Sequence, residues 1–135
     1  MINPPIDSPV GALALAICYD LRFPQLSTKQ RLNGAQVLTY PSAFTVPTGK
    51  AHWEVMLRAR AIENQCWVVA AAQSGAHNAK RASYGHSMVV DPWGEVMLDM
   101  GNESGLGIVD IDPAKCDRIR QSMPVVDHFK FDLYQ

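Results

Sequence analysis

GALALAICYDLRFP (Gly11–Pro24) is where the fold of this chain is decided. From Gly11 to Ile17 seven residues are apolar without a break, which reads as a short strand buried on both faces. The run stops at Cys18, and Asp20 and Arg22 follow at once, so charge stands directly beside a buried element. Unpaired charge is costly there. Either the two residues pair across the turn or they meet a ligand. Pro24 then opens a helix that runs to Asn33, with Gly34 as its stop. Strand, polar turn and helix form the opening unit of an α/β fold, which gathers its ligands at the carboxyl ends of its strands.

The rest of the chain continues the alternation. Gln36–Tyr40 (QVLTY) reads as a second strand, and Pro41–Lys50 as a loop with two prolines and a glycine. His52–Asn64 has the strongest helical pattern. Trp53, Met56, Leu57 and Arg60 share one side, and Val55, Ala59 and Ile62 form a second apolar stripe. A helix so patterned is expected to be covered on two sides, with Glu54 and Arg58 as an i, i+4 pair. Cys66–Ala72 is again a fully apolar strand, and Gln73–Ser83 a polar loop. Tyr84–Val90 and Glu95–Met100 flank the turn DPWG (Asp91–Gly94) and read as a hairpin, with Trp53 and Trp93 as packing residues. Leu106–Ile111 reads as a last strand, and Asp112 caps a helix from Pro113 to Met123.

The 135 residues give room for one domain with a real core. A net charge of −1 argues against a nucleic-acid or anionic-membrane partner, both of which attract a basic excess. No apolar run approaches the roughly 18 residues of a membrane span. Residues 1–7 show neither the basic nor the apolar region of a secretory signal. The three cysteines, Cys18, Cys66 and Cys116, are odd in number and widely spaced, which fits neither a metal site nor a disulfide framework and points to a reducing compartment.

Cys18 has two readings. As a residue at a strand end before a helix, it stands where backbone N–H groups face an oxyanion and a helix N-terminus favours a thiolate. As a free cysteine beside an apolar strand, it is also a small core hydrophobe. Of His52, His77, His86 and His128, only His52 begins a helix beside the Pro41–Lys50 loop, either as partner in a Cys–His dyad or as a capping and packing residue.

CYDLRFP closely resembles the nucleophile motif of the carbon–nitrogen hydrolase (nitrilase) superfamily. GAQVLTYPSAF, HWEVMLRARAIENQCWVVAAAQSG and SYGHSMVVDPWGEV follow in that family's order. The blocks look most like the Nit branch, the amidases of deaminated glutathione and related ω-amidases. The resemblance implies an α-β-β-α sandwich and hydrolysis of a linear carboxamide through a thioester on Cys18, with no cofactor and no metal. The Tyr19 backbone N–H is implied as an oxyanion donor. Arg22, Phe44 and Thr48 match substrate-binding positions, and a guanidinium fork suits the carboxylate of an α-keto acid. Pairing of Arg22 with Asp20 is the competing reading.

Two departures accompany the resemblance. Gln25 stands where the family has Glu. The family's general-base Glu and its Lys lie upstream of the cysteine, yet only seventeen residues precede Cys18, and Lys50, Glu54, Glu63 and Lys80 match neither position. Residues 1–135 are therefore expected to be the C-terminal half of a single hydrolase domain. The expected partners are a small-molecule amide and further copies of the chain, as a dimer or higher homo-oligomer. The expected location is the cytoplasm, with mitochondria as the alternative. A catalytically inactive truncated form that associates with a full-length amidase is the competing function.

Overall fold

A computed structural model describes residues 2–134. Strands β1 (Leu13–Leu15), β2 (Val37–Thr39), β3 (Trp67–Ala70), β6 (Met88–Val90) and β7 (Val96–Asp99) form one sheet in that order. β1, β2 and β3 run parallel, while β6 and β7 add antiparallel rungs. Strands β4 (Ser74–Asn78) and β5 (Arg81–Tyr84) form a separate hairpin. Helices α1 (Pro24–Leu32), α2 (Val46–Asn64) and α3 (Pro113–Ser122) complete the α/β fold.

Alternation along the strands sorts side chains to two faces. Leu38 and Val68 join Leu21, Trp53, Leu57 and Ala61 in a core that takes in α2 and the start of α1. Val37, Trp67 and Val89 point the other way and pack with Cys116 of α3. Asp112 caps α3 as expected, its carboxylate accepting from the Ala114 N–H at 3.0 Å. In the DPWG turn the fully buried Asp91 accepts from the N–H groups of Trp93 and Glu95, each at 2.9 Å, and pairs with Lys115 of α3. Burial alone would raise the Asp91 carboxyl, but these donors outweigh it and hold the group below the usual carboxylate range.

Six expectations are corrected. The first strand is buried on one face only: Ala14 and Ala16 are covered, whereas Leu15 and Ile17 are 59% and 65% exposed because no described element lies over them. Helix α2 starts at Val46, with Pro47 in its first turn, so half of the expected loop is helix. Its second apolar stripe faces outward at Val55 and Ile62. The polar segment after β3 is a hairpin, and Gly49 of α2 lies so close to Tyr84 of β5 that an added Cβ would come within 2.3 Å of its ring. Leu106–Ile111 joins no ladder; Leu106 and Ile108 are exposed, and only Val109 and Ile111 reach the α3-side core. Trp53 is buried as expected, but Trp93 is exposed.

Leu15, Ile17, Leu106 and Ile108 are exposed apolar residues, and Val55, Ile62 and Trp93 leave more apolar surface on and beside α2. Exposed apolar surface of this extent favours association. Light scattering over a concentration series is expected to show the isolated chain as oligomers or aggregates at tens of micromolar; a monodisperse 14.9 kDa monomer would contradict this.

Candidate active site

The rungs between β1 and β2 continue past the strand ends. The Ala16 N–H donates to the Thr39 carbonyl at 3.2 Å, and the Cys18 N–H to the Pro41 carbonyl at 3.0 Å. At Cys18 the backbone swings to a φ of +44°, and the chain leaves the sheet as a 3₁₀ turn, Cys18–Arg22. Left-handed backbone costs a non-glycine residue on the order of 1–2 kcal/mol, so the surroundings must hold the turn in place. Asp20 secures its start, accepting the Ile17 N–H at 2.9 Å. Arg60, buried in α2, secures its end: Nε and Nη2 donate to the Leu21 carbonyl at 3.0 and 2.8 Å. At the ends of the turn the Asp20 N–H donates to the Ile17 carbonyl and the Phe23 N–H to the Asp20 carbonyl. None of these engages the Tyr19 N–H.

Cys18 is half-buried and lines an open cavity of about 510 Å³ at the carboxyl ends of β2 and β3. Ser42 and Ala43 line it beyond β2, Ala72 and Gln73 beyond β3, and Ser87 just before β6. Ser87 closes this end of the sheet, its hydroxyl accepting from the Ala72 N–H at 2.8 Å and donating to the Ala72 carbonyl at 3.2 Å. This is the position at which parallel sheets collect ligands.

Asp20 and Arg22 do not pair. Among the described residues no carboxylate lies within ion-pair distance of Arg22. Its guanidinium lies 5.5 Å from the Tyr19 ring centre and 5.4 Å from that of Phe44. Phe44 is buried against Trp53, ring centres 4.8 Å apart. Thr48 sits in the first turns of α2, its hydroxyl bonded to that of Thr45 at 2.8 Å. The structure thus brings Tyr19, Arg22 and Phe44 together. Gln25 is exposed on the first turn of α1.

His52 is neither a cap nor a dyad partner. Thr45 is the N-cap of α2, and no histidine among the described residues hydrogen-bonds the Cys18 thiol. Its Nδ1 lies 3.5 and 3.4 Å from Nη1 and Nη2 of Arg22. Among the described residues, no three His, Cys, Asp or Glu side chains gather as metal ligands, and no helix is long and apolar enough to cross a membrane. The sequence reading missed Ser42, Ser87 and the anchoring role of Arg60; a cation inside the apolar stripe of Trp53, Met56 and Leu57 was the available signal for the last.

The sequence profile described as carbon-nitrogen hydrolase matches residues 2–121. The chain belongs to that family. It is 56% identical over 133 residues to the deaminated glutathione amidase of Rattus norvegicus, covering 98% of this chain and 41% of that protein. The crystal structure of the C. elegans NitFhit protein superposes with a TM-score of 0.96 at 57% identity, over 99% of this chain and 32% of that one. Saccharomyces cerevisiae Nit3, a member of branch 10 of the nitrilase superfamily, gives a TM-score of 0.83 at 36% identity, over 90% and 45%. The chain thus spans well under half the length of these relatives, and its fold is part of the nitrilase-type domain.

For a family member with three thiols, accessibility distinguishes them. Cys66 is fully buried, and burial pushes its thiol up to about 12. Burial raises Cys116 as well. Limited iodoacetamide labelling of the folded protein with peptide mapping is expected to modify Cys18 first. Faster labelling of Cys66 or Cys116 would remove Cys18 from consideration.

Proposed function

We propose that this chain carries the nucleophile and the carboxylate-binding group of an amidase that hydrolyses the carboxamide of a small α-keto acid amide such as deaminated glutathione. The observation that carries the reading is the placement of Cys18: last rung of a parallel ladder, left-handed backbone, side chain on a cavity. The Cys18 sulfur attacks the carboxamide carbon, and the tetrahedral oxyanion receives the Tyr19 N–H. The C–N bond breaks, the amide nitrogen takes up a proton and leaves as an amine (as ammonia where the amide is primary), and a thioester remains on Cys18. Water then attacks the thioester carbon, the C–S bond breaks, and the product carboxylate departs as the thiol is restored. Arg22, with no carboxylate partner among the described residues, takes the substrate's α-keto carboxylate, and Phe44 and Thr48 line its approach.

The resemblance assigns the general base and the lysine to a Glu and a Lys that this chain does not supply. Residues 1–135 then act as the C-terminal part of one hydrolase domain, cytoplasmic and assembled from several copies. The exposed Leu15, Ile17, Val55 and Ile62, together with the small share of its relatives that the chain spans, favour a second reading. In that reading the chain is an inactive partner that binds a full-length amidase through these surfaces.

The test compares the 135-residue chain with the same chain fused behind the first half of the rat relative. On α-ketoglutaramate and deaminated glutathione the chain alone is expected to show no useful turnover, since general base catalysis typically supplies about 10²–10⁴-fold. The fusion is expected to reach the usual enzyme range of about 1–10³ s⁻¹ and to lose it on Cys18→Ser. Turnover that survives Cys18→Ser contradicts the reading.

A further inference from the structure

We infer that His52 is a positioning residue: its Nδ1 accepts from the fork of Arg22 and fixes which edge of the guanidinium meets a substrate carboxylate. The inference rests on the reading of Arg22 as the carboxylate-binding group.

Nη1 and Nη2 of Arg22 converge on the single Nδ1 atom at 3.5 and 3.4 Å. A guanidinium only donates and stays protonated, so Nδ1 is the bare nitrogen of the ring and Nε2 carries the hydrogen. On the same side, Nη1 also lies 3.9 Å from the Met56 sulfur. Tyr19 and Phe44 flank the guanidinium. The recorded hydrogen bonds of Arg22 use Nη1 and Nη2 at the fork's end, and none uses Nε. The edge made by Nε–H and the outer Nη2–H is the one left for a bidentate carboxylate.

Three α2 residues one turn apart bear on this arrangement. Thr48, His52 and Met56 follow at i, i+4 and i+8, which puts them in one row on the helix. The helix packs against the Cys18–Arg22 turn, and Arg60 ties the two together. A long side chain with no ion-pair partner among the described residues is thereby held from a rigid element rather than left to sample rotamers. Holding the donor before the carboxylate arrives reduces the ordering cost of binding.

Two measurements test this. In the 135-residue chain, long-range ¹H–¹⁵N spectra are expected to show His52 as the Nε2–H tautomer, with that bias lost on Arg22→Lys. An Nδ1–H tautomer overturns the inference. In the fusion with the rat first half, calorimetry with α-ketoglutarate reports carboxylate binding without turnover. His52→Ala is expected to weaken it about fivefold to tenfold, the loss of one charge-assisted hydrogen bond. KM for α-ketoglutaramate should rise by the same factor, while kcat and the hydrolysis of butyramide, which has no carboxylate, stay unchanged. His52→Asn keeps an acceptor near the Nδ1 position and should restore binding. In an Arg22→Lys background, His52→Ala should add almost nothing. His52 is exposed and alanine is the better helix former, so the variant folds. Unchanged α-ketoglutarate binding in His52→Ala, or equal losses in His52→Ala and His52→Asn on both amides, overturns the positioning role and leaves the Arg22 reading intact. Failure of the unsubstituted fusion to bind α-ketoglutarate overturns both.

Discussion

A buried arginine holding one carbonyl is the contact on which the site depends. Arg60 enters the α2 side of the core at 6% exposure and places two donors on the Leu21 carbonyl, inside the turn that begins at Cys18. Its charge is balanced by Glu63 at 3.1 Å, at the edge of solvent. Removing the donors of a buried carbonyl costs about 1–3 kcal/mol, because the acceptor stays buried and unpaired. Truncating Arg60 would therefore do more than loosen a helix contact. It would strand the Leu21 carbonyl and free the far end of a turn whose first residue already has strained backbone.

Cys18 is thus gripped from two layers. The sheet holds its N–H through the Pro41 carbonyl, and α2 holds the turn's end through Arg60. Tyr19 lies between these anchors and Arg22 directly follows the second, so both residues are carried by a fixed backbone. The same division explains the electrostatics. Asp20, the carboxylate nearest in sequence to Arg22, is taken by the Ile17 N–H, so the guanidinium is left with aromatic rings and a neutral imidazole. Among the described residues this guanidinium has no carboxylate partner, and the proposed function uses it to take the carboxylate of an anionic amide.

Local signals in the sequence were read well, and long-range ones poorly. Pro24 and Gly34 bracketed α1, Asp112 marked the start of α3, and the apolar runs marked β1, β2 and β3, because each signal acts within a few residues. Pro47 carried the same first-turn signal as Pro24, but the polar residues around it masked the start of α2. β4 and β5 form in a polar stretch because they pair with each other and rest on α2, information that no periodicity contains. Leu106–Ile111 has the composition of a strand without a partner edge. At the site, Cys18 was legible from the abrupt end of an apolar run, whereas the contact between Arg22 and His52 spans thirty residues and was not. Arg60 stood in plain view as a cation among core residues, yet its partner is a backbone carbonyl, which no residue identity announces.

The central claim is that this geometry makes Cys18 the atom that carries the acyl group. It is tested most directly by quenching the fusion protein in acid during turnover of α-ketoglutaramate and reading the mass of the peptide that holds Cys18. The account predicts a hydroxylamine-labile acyl adduct on the Cys18 peptide, present during turnover and gone once substrate is exhausted. Steady turnover with the Cys18 peptide unmodified, or the adduct on Cys66 or Cys116, would contradict it.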